Sequence, residues 1–163
     1  MDTATRQQIE EAFLEVSRTA ARKTIYALRA EQNGRSQLAK LFRAIALSEK
    51  AQALRLLIQL RGRTGTNQEN CWTAFEEEAP SLIRKYEEAA RIAENAGERG
   101  MQSAFSQSSR VQRMHLSLKK KLDEDQAKDT PYHVCSFCGF IMEDHAPEKC
   151  PICTAPSSRF IES

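Results

Sequence analysis

At 163 residues the chain is long enough for one sizeable hydrophobic core and a small appended module. Its 24 basic and 22 acidic residues nearly balance, which speaks against the basic excess of a nucleic-acid-binding protein. No run approaches the roughly 18 apolar residues of a membrane span, and the opening Met1-Asp2-Thr3-Ala4-Thr5-Arg6-Gln7-Gln8 has no apolar leader, so a cytoplasmic protein with no membrane partner is expected.

From about residue 5 to 127 the chain favours helix, with Ala, Leu, Glu, Arg and Gln frequent and β-branched residues scarce. Asn33-Gly34 ends a first helix whose inward stripe reads Ile9, Phe13, Val16, Ala20, Lys23, Ala27. A second helix carries Leu38, Phe42, Ile45, Glu49, Gln52, Leu56 and Leu60, and closes at Gly62 and Gly65. The third, with Thr66 or Asn67 as its N-cap, carries Phe75, Glu78, Leu82, Tyr86, Ala89 and Ala93. Pro80 should bend it or start a fresh helical piece. Cys71 reads as a buried small hydrophobe, and Trp72 and Tyr86 as packing residues. Gly97 and Gly100 separate the third helix from a fourth with Met101, Phe105, Ser108, Gln112, His115, Lys119 and Leu122 inward. Lys119-Lys120-Lys121, followed by Asp123-Glu124-Asp125, reads as a solvated helix end. One stripe per helix at three-and-four spacing predicts an all-α, four-helix bundle. The short link after the second helix either makes helices two and three antiparallel neighbours or exchanges them between two chains.

Pro131 opens a tail of different chemistry. Cys135-Ser136-Phe137-Cys138-Gly139 and Cys150-Pro151-Ile152-Cys153 are two Cys-x-x-Cys knuckles, with eleven residues between Cys138 and Cys150. Four thiolates at that spacing suit tetrahedral zinc or a single iron. In a reducing compartment ligation is favoured over disulfides. His145 is the one other ligand type between the knuckles, and four sulfurs already complete a tetrahedron. Gly139 is expected to permit a tight turn that aims amides at the sulfurs, and Pro151 to stiffen the second knuckle. Zinc would make the tail a structural clip, whereas iron would carry one electron.

The polar residues on the inward stripes trace part of a di-iron carboxylate site. Such a site takes one Glu from each of two helices and a Glu-x-x-His pair from each of the other two. Here Glu49 is followed by Gln52 in place of His, and His115 is preceded by Gln112 in place of Glu. Glu78 is followed by Ser81, and the first helix offers Val16. These positions join the run Phe42 to Glu49, the stretch Thr66-Asn67-Gln68-Glu69-Asn70, and the gapless spacing from Tyr86 to His115. The segment from Tyr132-His133-Val134-Cys135 to Phe160 is the most specific part. On them the whole chain resembles the rubrerythrin family, a ferritin-like di-iron bundle followed by a rubredoxin-like iron centre.

That resemblance implies a bundle over residues 1–128, a rubredoxin-like domain over 129–163, a homodimer and a redox protein partner. It implies one iron on Cys135, Cys138, Cys150 and Cys153, with zinc the alternative at the same site. For the family at large it implies NAD(P)H-linked peroxide reduction. The family's ligand positions fall on Val16, Glu49, Gln52, Glu78, Ser81, Gln112 and His115, and only Glu49, Glu78 and His115 keep a family ligand type. The expectation is an electron-transfer protein with a degenerate di-iron site, at most a residual site at Glu49, Glu78 and His115, and no assigned catalytic residue. A peroxidase with a residual bundle metal and a zinc-ribbon interaction protein are the alternatives. Lys23, two helical turns beyond Val16, could bring its ammonium to Glu49 or Glu78.

Overall fold

The computed structural model describes residues 1–61, 65–124 and 129–163. Gly62, Asp125 and the predicted boundary at residue 128 lie outside the described residues. The chain forms two compact units, Met1–Gly65 and Thr66–Ser163.

The first unit is a helical hairpin of α1 (Thr3–Gln32) and α2 (Ser36–Arg61). Asp2 caps α1, its carboxylate accepting from the Thr5 amide at 2.9 Å. The turn uses a left-handed residue at Gly34 (φ 70°), which lets the Arg35 amide reach back to the Ala30 carbonyl at 2.8 Å. The buried residues of this hairpin are all alanines: Ala20, Ala27 and Ala30 on α1, and Ala39, Ala46 and Ala53 on α2. Ala39, Ala46 and Ala53 recur every seven residues, so they stay on one face of the helix. Side chains this small leave room for two backbones to lie close together. The larger stripe residues Phe13, Val16, Phe42, Ile45 and Leu56 are half-buried. Tyr26 meets Phe42 edge-on at 5.7 Å. Gln52, predicted to face inward, is exposed, and the neighbouring Ala53 is the buried residue at that turn.

The second unit begins with α3 (Asn67–Trp72), closed by a reciprocal cap. The Glu69 amide donates to the Thr66 hydroxyl at 3.3 Å, and the Thr66 amide donates to the Glu69 carboxylate at 2.7 Å. The helix then widens to π winding over Thr73–Glu78 before α4 (Ala79–Asn95). Pro80 accounts for the widening, because it has no amide for the Glu76 carbonyl and its ring would crowd that oxygen. It therefore starts a fresh helical piece. A second left-handed turn, with Gly97 at φ 74° and the Glu98 amide on the Ala93 carbonyl at 2.8 Å, leads into α5 (Arg99–Glu124). Gly100, predicted to lie in this link, belongs to the first turn of α5.

Ala79, Ile83, Ala93, Ser109 and Val111 are buried in this unit. The rings of Tyr86 and Phe105 stack at 6.5 Å, so Tyr86 packs as predicted. Trp72 does not: it is 62% exposed. A helix of only six residues buries little of its circumference, and Cys71 is half-buried where full burial was expected. The lysine run is not uniformly solvated either. Lys119 is half-buried over the Phe75 ring and paired with Asp123, and Lys121 pairs with Glu143.

Three short strands complete the unit: β1 (Tyr132–Cys135), β2 (Ile141–Glu143) and β3 (Phe160–Glu162). They form an antiparallel sheet in the order β2-β1-β3, with Val134 opposite Ile141 on one side and Ile161 on the other. Among the described residues no helix is long and apolar enough to cross a membrane.

Candidate metal centre

The two knuckles share one backbone plan. In the first, the Cys135 amide donates to the Phe140 carbonyl at 2.7 Å and the Gly139 amide returns to the Cys135 carbonyl at 2.9 Å. In the second, the Cys150 amide donates to the Ala155 carbonyl at 2.8 Å and the Thr154 amide returns to the Cys150 carbonyl at 2.9 Å. Each knuckle ends on a left-handed residue directly after its second cysteine: Gly139 at φ 80° and Thr154 at φ 63°. Sequence reasoning found the first from its glycine and missed the second, because a β-branched threonine gives no sign of a left-handed backbone.

This plan brings all four sulfurs within 4.8 Å of one another. Cys135 Sγ lies 3.8 Å from Cys153 Sγ, and Cys138 Sγ lies 3.6 Å from Cys150 Sγ. A disulfide would need about 2.05 Å. A tetrahedron with metal–sulfur bonds of ~2.3 Å has edges of about 3.8 Å, so the donor set fits a four-coordinate zinc or iron. Among the described residues this is the one group of three or more Cys, His, Asp or Glu side chains with metal-ligand spacing.

The electrostatics of the centre differ from sulfur to sulfur. Burial pushes the Cys135 thiol up, but amides of Cys138 and Phe137 donate to its sulfur and bring it below the usual thiol range. Burial raises Cys138 strongly, against the opposing Phe140 amide. Cys153 is likewise raised by burial despite a bond from the Ala155 amide. Amides aimed at the sulfurs favour the thiolate, the form that binds metal. Cys135 and Cys150 are 1% exposed, while Cys138 and Cys153 remain partly open.

The remaining predicted site residues lie in the helices. Val111 on α5 packs toward the knuckle: a methyl placed on Gly139 would sit 3.8 Å from its Cγ1. His115, one turn further along α5, lines a cavity of about 410 Å³ with Phe75, Gln112, Leu118, Tyr132 and Val134. Burial lowers its pKa, partly offset by a hydrogen bond to the Gly139 backbone. Glu78 closes the π-helical stretch and is exposed, as is His145 between the knuckles. In the first unit Glu49 is half-buried and bound to Lys23, whose Nζ lies 2.7 Å from Oε1. Glu49 thus belongs to the first unit and Glu78 and His115 to the second.

The description "Rubrerythrin, rubredoxin-like domain" matches residues 133–161. Rubrerythrin-1 of Clostridium acetobutylicum is 25% identical over 182 residues, covering 97% of this chain and 93% of that protein. The rubrerythrin of Porphyromonas gingivalis is 26% identical over 169 residues, covering 91% and 84%. Among solved structures, nigerythrin in its partially reduced state superposes with a TM-score of 0.51 at 23% identity, covering 98% of this chain and 86% of that one. That likeness concerns the fold, which is of the ferritin-like helical class with a small rubredoxin-like module. Through its matched tail and its full-length likeness to these proteins, the chain is similar to rubrerythrins along nearly its whole length.

Proposed function

We propose that the protein is a one-electron carrier that uses a single iron on Cys135, Cys138, Cys150 and Cys153, with residues 129–163 as its redox domain. Residues 1–128 would serve as a ferritin-like body without a working di-iron centre. The observation that carries this reading is the four-sulfur cluster, whose 3.6 and 3.8 Å separations match a tetrahedral ion. Iron held by four thiolates supplies a one-electron couple, and zinc at the same ligands supplies none. The chain's own residues would set the stability of that site. Amides from Phe137, Cys138, Phe140 and Ala155 point at sulfur, and burial of Cys135 and Cys150 keeps water from two of the four ligands.

The donor set of the helical body does not fit a pair of irons. Val16, Gln52, Ser81 and Gln112 supply no anionic ligand at four of the seven family positions, and two hard cations need carboxylate charge. Family likeness supports a homodimer and a protein redox partner. Elemental analysis of anaerobically purified protein beside its visible spectrum tests the reading. One iron per chain, with a thiolate-to-iron absorption that bleaches on reduction, is expected. One zinc and no chromophore would establish a structural zinc ribbon instead. About three irons per chain would establish an intact peroxidase-type site.

A further inference from the structure

The reading of the helical body as free of a di-iron centre leaves a physical problem at Glu49. A carboxylate on the inward stripe of a helical hairpin loses much of its hydration, and a positive partner can replace what is lost. Glu49 lies on α2 between the buried Ala46 and Ala53, and its side chain is only 17% exposed. Its Oε2 is sealed from solvent with no hydrogen-bond partner among the described residues.

The partner present is Lys23. It lies on α1 between the buried Ala20 and Ala27, its side chain 24% exposed, with Nζ 2.7 Å from Glu49 Oε1. Ion pairs such as Arg6–Glu10, Arg18–Glu15 and Lys121–Glu143 have at least one partner more than half exposed. Exposed pairs of that kind contribute little. Lys23–Glu49 is different in kind, because removing one partner strands a charge against alanine. Geometry favours the contact: helical side chains lean toward their own N-terminus, so Lys23 reaches back along α1 toward the level of Val16.

We propose that Lys23 is a built-in counter-cation, an ammonium that neutralises Glu49 from within the hairpin and so removes the need for a metal ion at this carboxylate. The proposal rests on the reading that the body lacks a di-iron site, and it adds the residue that makes such a body stable without metal. A divalent ion on the same carboxylate would set two cations on one anion, with Val16 and Gln52 offering no second anion at the neighbouring ligand positions.

The test is a thermal double-mutant cycle on the full-length, iron-loaded protein, followed by helical circular dichroism, with iron counted in each variant after anaerobic ferrous loading. Lys23→Met is expected to lower Tm by several degrees. Adding Glu49→Gln should recover most of that loss, and Lys23→Arg, which keeps the charge, should melt close to wild type. Iron should stay at one per chain throughout. If Lys23→Met and Glu49→Gln act additively, or Lys23→Met melts like wild type, the counter-cation is overturned while the metal-free body stands. Should Lys23→Met fail to fold, Glu49→Gln is compared in the Lys23→Arg and wild-type backgrounds, and recovery of folding in the double variant upholds the proposal. Wild-type protein holding iron beyond the tail, with the excess lost in Glu49→Gln, overturns both.

Discussion

Thr154 is the residue that carries the most backbone strain in the metal centre. A β-branched side chain at φ 63° costs about 1–2 kcal/mol relative to a residue at home in the left-handed region. The matching position after the first knuckle is Gly139, which bears no such cost. Thr154→Gly should therefore stabilise the loaded tail by up to about 1 kcal/mol, less the chain entropy that glycine adds to the unfolded state. Slower release of metal to a competing chelator is the measurement, and faster release would contradict the strain assignment. The four cysteines were legible because their spacing is itself the ligand geometry. Thr154 was not, since the demand on its backbone comes from the ring of bonds around Cys150 and leaves no mark on residue type. Lys23 was legible as a candidate partner for two glutamates, and only folding chose Glu49.

Helix ends were readable wherever backbone chemistry dictates them. Asn33-Gly34 and Gly97 supply left-handed turns, Thr66 is the cap of the two candidates, with Glu69 as its unforeseen reciprocal partner, and Pro80 restarts a helix rather than bending one. The seam of the first hairpin was harder to read. The α1 stripe includes the buried Ala20 and Ala27, but on α2 the stripe of larger residues misses the buried line, whose signal is the seven-residue recurrence of Ala39, Ala46 and Ala53. Ala46→Leu should overpack that seam and cost about 1–3 kcal/mol, read as a lower denaturant midpoint with the slope unchanged. In the second unit, Glu87 of α4 accepts from Ser109 of α5 at 3.2 Å and pairs with Arg113. The Arg113 hydrogen bond holds the Glu87 carboxyl below its ordinary 4.5, against the opposing effect of burial. A carboxyl lowered by folding stabilises fully above its unfolded value and loses that contribution as pH falls through the folded value. Wild type should therefore exceed Glu87→Gln in Tm by a constant small margin at neutral pH, and the margin should shrink once pH falls below the unfolded carboxyl's ordinary value and vanish when the folded carboxyl is itself protonated. A margin that persists in acid would show that the carboxylate charge is not involved.

At the scale of the whole molecule, metal and helix are expected to be separable. Residues 129–163 contain three strands of three or four residues and one 3₁₀ turn, so their order rests on the four sulfurs more than on an apolar core. Metal binding needs deprotonated thiols, so affinity falls as pH drops. Acid or a strong chelator should release the metal and expose the tail to protease while the helical signal is largely kept. Loss of both together would contradict this. The uneven cover of the sulfurs has one more consequence. The second cysteine of each knuckle is the one left partly open, and Phe137, which precedes Cys138, is 75% exposed. Cys138 and Cys153 are therefore the sulfurs that an oxidant or an alkylating reagent would meet first, while Cys135 and Cys150 stay sheltered behind the fold.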